Sequence, residues 1–91
     1  MTEKDFQSLI VQYAKKQGWL IFHDYDSRRN IPGFPDLVMV RGDKVLFREL
    51  KTLKGKLTEP QKQWAARLKK ADADYAVWRP NQMQTIFEEI F

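Results

Sequence analysis

Three residues, Asp36, Glu49 and Lys51, carry the chemistry that can be read in this chain. Leu37, Val38, Met39 and Val40 form one short apolar run, and Val45, Leu46 and Phe47 form another. Between them stand Arg41, Gly42, Asp43 and Lys44. A two-residue turn with glycine first suits a β-hairpin, because that position needs a positive φ. With Gly42 and Asp43 as the turn, Arg41 pairs with Lys44, and counting outward sets Asp36 opposite Glu49. Side chains two residues apart on a strand leave the same face, so Lys51 emerges beside Glu49.

Opposed carboxylates are costly unless something positive lies between them. At about 5 Å and an effective dielectric near 20 they repel by about 3 kcal/mol. Val38, Val40, Val45 and Phe47 share their face and are expected to be core. The acids then end an apolar stripe with an ammonium group beside them, a setting for a hard divalent cation. Mg²⁺ fits, with Mn²⁺ as a substitute, since it takes one or two carboxylates and fills its shell with water and phosphate oxygens. The alternative is a plain ion pair between Lys51 and Glu49 on a solvated strand end, with Asp36 merely opening a strand after Pro35.

Several elements must hold these residues in place. Thr2 can cap a first helix, with Asp5 completing part of a capping box. Phe6, Leu9, Ile10, Tyr13 and Ala14 recur at helical spacing up to Gly18. Trp19, Leu20, Ile21 and Phe22 read as a buried strand. From His23 to Pro35 the chain is polar and turn-rich, a long loop of the kind that carries function. Thr58, Pro60 and Gln61 mark a second helix start, with Trp64, Ala65 and Leu68 as its buried stripe. Tyr75, Ala76, Val77 and Trp78 form another strand, and Met83, Ile86, Phe87 and Ile90 line a last helix. Its end at Ile90 and Phe91 can pack internally or across a dimer.

The element order is therefore α-β-β-β-α-β-α, an α/β fold. Leu37, Met39, Leu46 and Leu50 make the hairpin face opposite Asp36 apolar too, so helices should cover both sides of the sheet. The last strand follows a helical crossover and can lie parallel to a hairpin strand, giving a mixed sheet.

The 91 residues suit a single domain, spanning 1–91. No apolar run exceeds four residues, so neither a membrane span nor a secretory signal is expected. Without cysteine there is no disulfide, thiolate nucleophile or thiolate zinc site, which is compatible with the cytoplasm. His23 is the only histidine, which excludes histidine-rich zinc sites and a histidine-dyad mechanism. The net charge of +4 favours polyanions mildly. Its distribution says more, because Arg28, Arg29 and Asn30 precede the first acid while Lys54 and Lys56 follow the second. A phosphate backbone passing the acids would meet both clusters, and each is also explained as a solvated loop.

The longer pattern Gly33-x-Pro35-Asp36, then Glu49-Leu50-Lys51, then Gly55-Lys56-Leu57-Thr58-x-x-Gln61-x-x-Trp64, resembles the virus-type replication-repair nuclease (VRR-NUC) family. That family belongs to the PD-(D/E)XK nuclease superfamily with its restriction-endonuclease-like fold, and the resemblance spans essentially the whole chain. It implies that Asp36 and Glu49 bind a metal, with the main-chain carbonyl of Leu50 completing the protein's share. Lys51 would position or help deprotonate the attacking water. Gln61 matches a helix glutamine at the edge of the site, and Glu3 matches a first-helix glutamate that could be an outer ligand. Both also have plain helix-start readings, as a capping-box residue and a first-turn acid. Compact stand-alone members come chiefly from phages and bacteria and resemble homodimeric resolvases of four-way (Holliday) junctions, whereas larger relatives process flaps and crosslinks.

Two classes of function follow. One is a Mg²⁺-dependent, structure-selective DNA endonuclease in the cytoplasm of a bacterial or phage-infected cell. The other is a non-catalytic nucleic-acid-binding module with the same fold.

Overall fold

The computed structural model describes residues 1–23 and 31–91. Arg28, Arg29 and Asn30 lie outside the described residues. Helix α1 (Glu3–Lys16) begins at Thr2, whose hydroxyl accepts the Asp5 N–H at 3.0 Å. Strands β1 (Leu20–His23), β2 (Leu37–Arg41), β3 (Lys44–Leu50) and β4 (Asp74–Trp78) form one sheet in the order β1-β2-β3-β4. Helix α2 (Glu59–Lys70) connects β3 to β4. A 3₁₀ turn (Pro80–Gln82) then leads into α3 (Met83–Ile90). The first three strands run antiparallel and β4 lies parallel to β3, so the mixed α/β sheet expected from the sequence is the fold observed.

The hairpin turn sets the register. Gly42 has φ +61°, and Arg41 pairs with Lys44. Every later pair follows, up to Leu37 opposite Arg48. Leu37, Met39, Leu46 and Leu50 form the buried face, where Phe6, Ile10, Val11 and Ala14 of α1 meet Ile86 and Ile90 of α3. The last helix therefore packs internally, while Phe91 is exposed. On α1, Val11 joins the buried stripe, and Leu9 sits at its exposed margin.

Arg41 ties the helix ends to this face. Its Nη1 donates to the carbonyls of Gln17 (2.8 Å) and Ile90 (3.0 Å), and its guanidinium lies 4.4 Å from the centre of the Trp19 ring. The Trp19 indole N–H donates to the same Ile90 carbonyl at 2.8 Å. Unpaired carbonyls at two helix C-termini are thus satisfied by a cation and an indole, which suits the negative ends of both helix dipoles.

Two expectations about burial fail for one reason. Leu20, Phe22, Val40 and Val45 are exposed rather than core, and β1 is an edge strand instead of a buried one. On the face that carries Asp36 and Glu49, α2 lies against β4 at the far side of the sheet. Its cover stops short of β1 and the outer hairpin. Alternation alone gives the face, whereas burial depends on where the crossover helix lands.

Candidate active site

The two acids meet at the open end of the hairpin, bound to each other's strand. The Asp36 N–H donates to Glu49 Oε1 at 3.2 Å, and the Leu50 N–H donates to Asp36 Oδ2 at 2.8 Å. Glu49 is 1% exposed, and its Oε2 is buried with no hydrogen-bond partner. Burial, then a side-chain hydrogen bond and charge repulsion from Asp36, push the Glu49 carboxyl up to about 9, against a smaller opposing pull from Lys51. Burial and the facing acid therefore favour the protonated form of Glu49 in the metal-free protein.

Lys51 leaves the end of β3 with its backbone fixed, since its N–H donates to the Trp78 carbonyl at 3.1 Å and extends the β3–β4 ladder by one residue. Ion pairs among the described residues join Arg48 to Asp74 and Glu89, and Lys62 to Glu59. The plain Lys51–Glu49 ion pair does not form. Lys51 is instead half-buried and near enough to pull on the Glu49 carboxyl.

Glu3, in the first turn of α1, belongs to the same neighbourhood. Partial burial and then Asp36 push its carboxyl up, while Lys51 pulls it down. Among the described residues no three Asp, Glu, His or Cys side chains are grouped to hold a metal. Gln61 completes the expected capping box: its Oε1 accepts the Thr58 N–H at 2.8 Å and its N–H donates to Thr58 Oγ1 at 3.3 Å. Its carboxamide oxygen is committed to the helix start. Lys54 and Lys56 are exposed on the segment between Lys51 and α2.

Gly33 explains how α2 is placed beside the acids. It has φ +87°, and a Cβ there would lie 2.3 Å from the Pro60 carbonyl carbon and 2.7 Å from the Gln61 nitrogen. Only glycine lets the first turn of α2 seat on the chain three residues before Asp36. Phe34 then meets Trp64 edge to face, with ring centroids 5.1 Å apart. Trp19 and Trp78 are buried, so two of the three indoles serve the interior.

Three residues near the site had no assigned role in the sequence reading. Tyr75 lies opposite Phe47, on the Glu49 face and under Lys69 of α2. Burial, then Glu49 and Asp36, push its phenol up to about 12, so the ring stays neutral beside the acids. Arg79 donates from Nη1 to the carbonyls of Thr52 (2.6 Å) and Gly55 (2.7 Å). Arg48 is fully buried on the opposite face, bonded to Asp74 and Glu89 and stacked near Trp78. Tyr75 could have been found by extending the β3–β4 register, and Arg48 by its place between Leu46 and Leu50. Arg79 gave no signal.

A donor set of two carboxylates suits a hard cation, and Glu49 Oε2 is buried without a hydrogen-bond donor from the protein. Asp36, Glu49 and the Leu50 carbonyl are the groups that would hold it.

The sheet order, the acid pair on the hairpin and the lysine after it define a restriction-endonuclease-like core. The model of the VRR-NUC domain matches residues 1–82, and the chain belongs to that family, which makes it a nuclease domain with nucleic acid as its partner. Two solved structures share the fold. One, titled "VRR_NUC domain protein", has 21% identity and a TM-score of 0.76, covering 100% of this chain and 88% of the other. A second, titled "VRR_NUC domain", has 22% identity and a TM-score of 0.67, covering 100% of both chains. Curated proteins gave no match. Among the described residues no helix is long and apolar enough to cross a membrane.

Proposed function

We propose that this chain is a metal-dependent endonuclease that hydrolyses phosphodiester bonds in branched DNA, acting on four-way junctions as a homodimer. The observation that carries the hydrolytic part is the Asp36–Glu49 pair: an acid kept protonated by burial and by its neighbour, with one carboxyl oxygen left unpartnered. A protein that only bound a polyanion would gain nothing from two carboxylates facing it.

When bound, a divalent ion such as Mg²⁺ neutralises phosphate oxygens and makes water a better nucleophile. The chain's residues do the rest. Asp36 and Glu49 bind as a fixed unit because each is hydrogen-bonded to the opposite strand. Asp36 and Glu49 would hold the ion as carboxylates, so Glu49 would give its proton to solvent where an ion binds. The Lys51 ammonium holds the scissile phosphate and steadies the charge that grows on it. Lys54 and Lys56, with Arg28, Arg29 and Asn30, track the flanking phosphates. Glu3 is an outer contact of the site, and Gln61 frames its edge from the helix start.

The junction and dimer assignments rest on the resemblance of small stand-alone members to paired-site resolvases, and on the symmetry that two coordinated nicks require. The experiment is cleavage of labelled four-way junction, flap, linear duplex and single-stranded DNA with Mg²⁺ or Mn²⁺. Symmetric nicks in the junction alone are expected. Preferential cutting of a flap or duplex would replace the substrate, and tight binding with no cutting under either metal would favour the binding module.

A further inference from the structure

We infer that Arg79 is a positioning residue for the nuclease site, acting through the loop that carries Lys51; the inference rests on the nuclease reading above. Lys51 is the first residue beyond β3, and residues 51–58 form no helix or strand. Such a segment would leave a long lysine side chain free to sweep the site unless something held it.

Three contacts hold it, and all come from the end of β4 or its continuation. The Trp78 carbonyl accepts the Lys51 N–H at 3.1 Å. The next residue, Arg79, gathers two carbonyls from the loop with one terminal nitrogen, Thr52 O at 2.6 Å and Gly55 O at 2.7 Å. The turn between those residues is closed by the Gly55 N–H, which donates to Thr52 Oγ1 at 3.1 Å.

Gly55 lies alongside the stem of the lysine. A Cβ there would stand 3.5 Å from Lys51 Cδ and 2.9 Å from Thr52 Oγ1. The pinned turn therefore borders the aliphatic stem of Lys51. Arg79 is itself anchored, because its N–H donates to Gln82 Oε1 at 2.9 Å at the start of the 3₁₀ turn. Trp78 beside it is buried. The chain of support runs from the sheet through a rigid arginine to two carbonyls and the lysine stem. None of it touches Asp36 or Glu49.

That separation gives the test. Arg79→Ala and Arg79→Lys are compared with the parent protein in three measurements: single-turnover cleavage at saturating protein, the thermal shift produced by Mg²⁺ alone, and trypsin cutting after Lys54 and Lys56. Misplacement of a reacting group far from the chemistry can cost about 10²-fold in rate. Arg79→Ala is expected to lose about that much, to keep the Mg²⁺ shift, and to be cut faster after Lys54 and Lys56. Arg79→Lys keeps the charge but not the planar guanidinium, so its rate should fall between the two.

Parent-like rates and proteolysis in both variants would overturn the inference while leaving the nuclease reading intact. Joint loss of rate and Mg²⁺ shift in Arg79→Lys would also overturn it, by making Arg79 a general fold residue. A parent protein that cuts no DNA with Mg²⁺ or Mn²⁺ would overturn the nuclease reading and this inference with it.

Discussion

Asp36 and Glu49 are cross-braced: the main chain of Asp36 donates to the Glu49 carboxylate, and the main chain beside Glu49 donates to the Asp36 carboxylate. Each acid is oriented by the other's strand, so the site forms when the hairpin closes in register.

This arrangement sets the pH dependence of the metal-free protein. Unfolded, Glu49 ionises near 4.5; folded, it keeps its proton to about 9. Below pH 4.5 both states hold the proton and no penalty exists. As pH rises toward 9 the unfolded chain releases a proton that the folded one retains, and this group's contribution to stability falls. At its steepest the loss is about 1.4 kcal/mol per pH unit. Denaturation in EDTA should show stability declining across that window, with a flatter profile in Glu49→Gln. Equal slopes in the two proteins would show that Glu49 is not the group responsible.

Metal should reverse that penalty. An ion that binds only the folded state at 100 times its dissociation constant stabilises by about 2.7 kcal/mol. Mg²⁺ is expected to raise the melting temperature of the parent protein and of Lys51→Ala, and to leave Asp36→Asn and Glu49→Gln unmoved. A similar rise in all four would place the ion elsewhere.

Gly33→Ala tests how α2 is seated. The new methyl would strike the backbone of Pro60 and Gln61 from a residue at positive φ, so relief requires α2 to move. A loss of about 2–3 kcal/mol is expected from chemical denaturation, with cleavage impaired even where the variant is folded. Parent-like stability would mean that the first turn of α2 does not rest on Gly33.

Arg48 offers a prediction that separates charge from packing. Removing one partner of a buried ion pair costs about 3–5 kcal/mol, whereas replacing the whole pair by apolar residues of similar volume is often neutral. Asp74 and Glu89 keep access to water, so Arg48→Ala should fall near the lower figure, about 3 kcal/mol. Arg48→Met fills most of the same volume and leaves two acids that can turn to water, so it should lose less than Arg48→Ala. Equal losses would make the hydrogen bonds, rather than the filled volume, what Arg48 contributes.

The hairpin was legible because its turn is local: Gly42 fixes the register, and the register brings Asp36 to Glu49. Thr58 and Gln61 announced α2 for the same reason, since a capping box involves residues three apart. Burial was less legible. Val40 and Val45 alternate like core residues, but their exposure depends on α2 landing over β4, a tertiary fact that their own sequence does not encode. Arg79 was invisible because its partners are backbone carbonyls 24 and 27 residues away, which any residue type would present.

The most direct test of the hydrolytic site is single-turnover cleavage set beside DNA affinity for the parent protein, Glu49→Gln and Lys51→Ala, with Mg²⁺ and with EDTA. The parent protein should cut only with metal. Both variants should bind DNA comparably and lose cleavage by about 10²-fold or more. Cutting in EDTA, or a parent-like rate in Glu49→Gln, would contradict a site built on Asp36, Glu49 and Lys51.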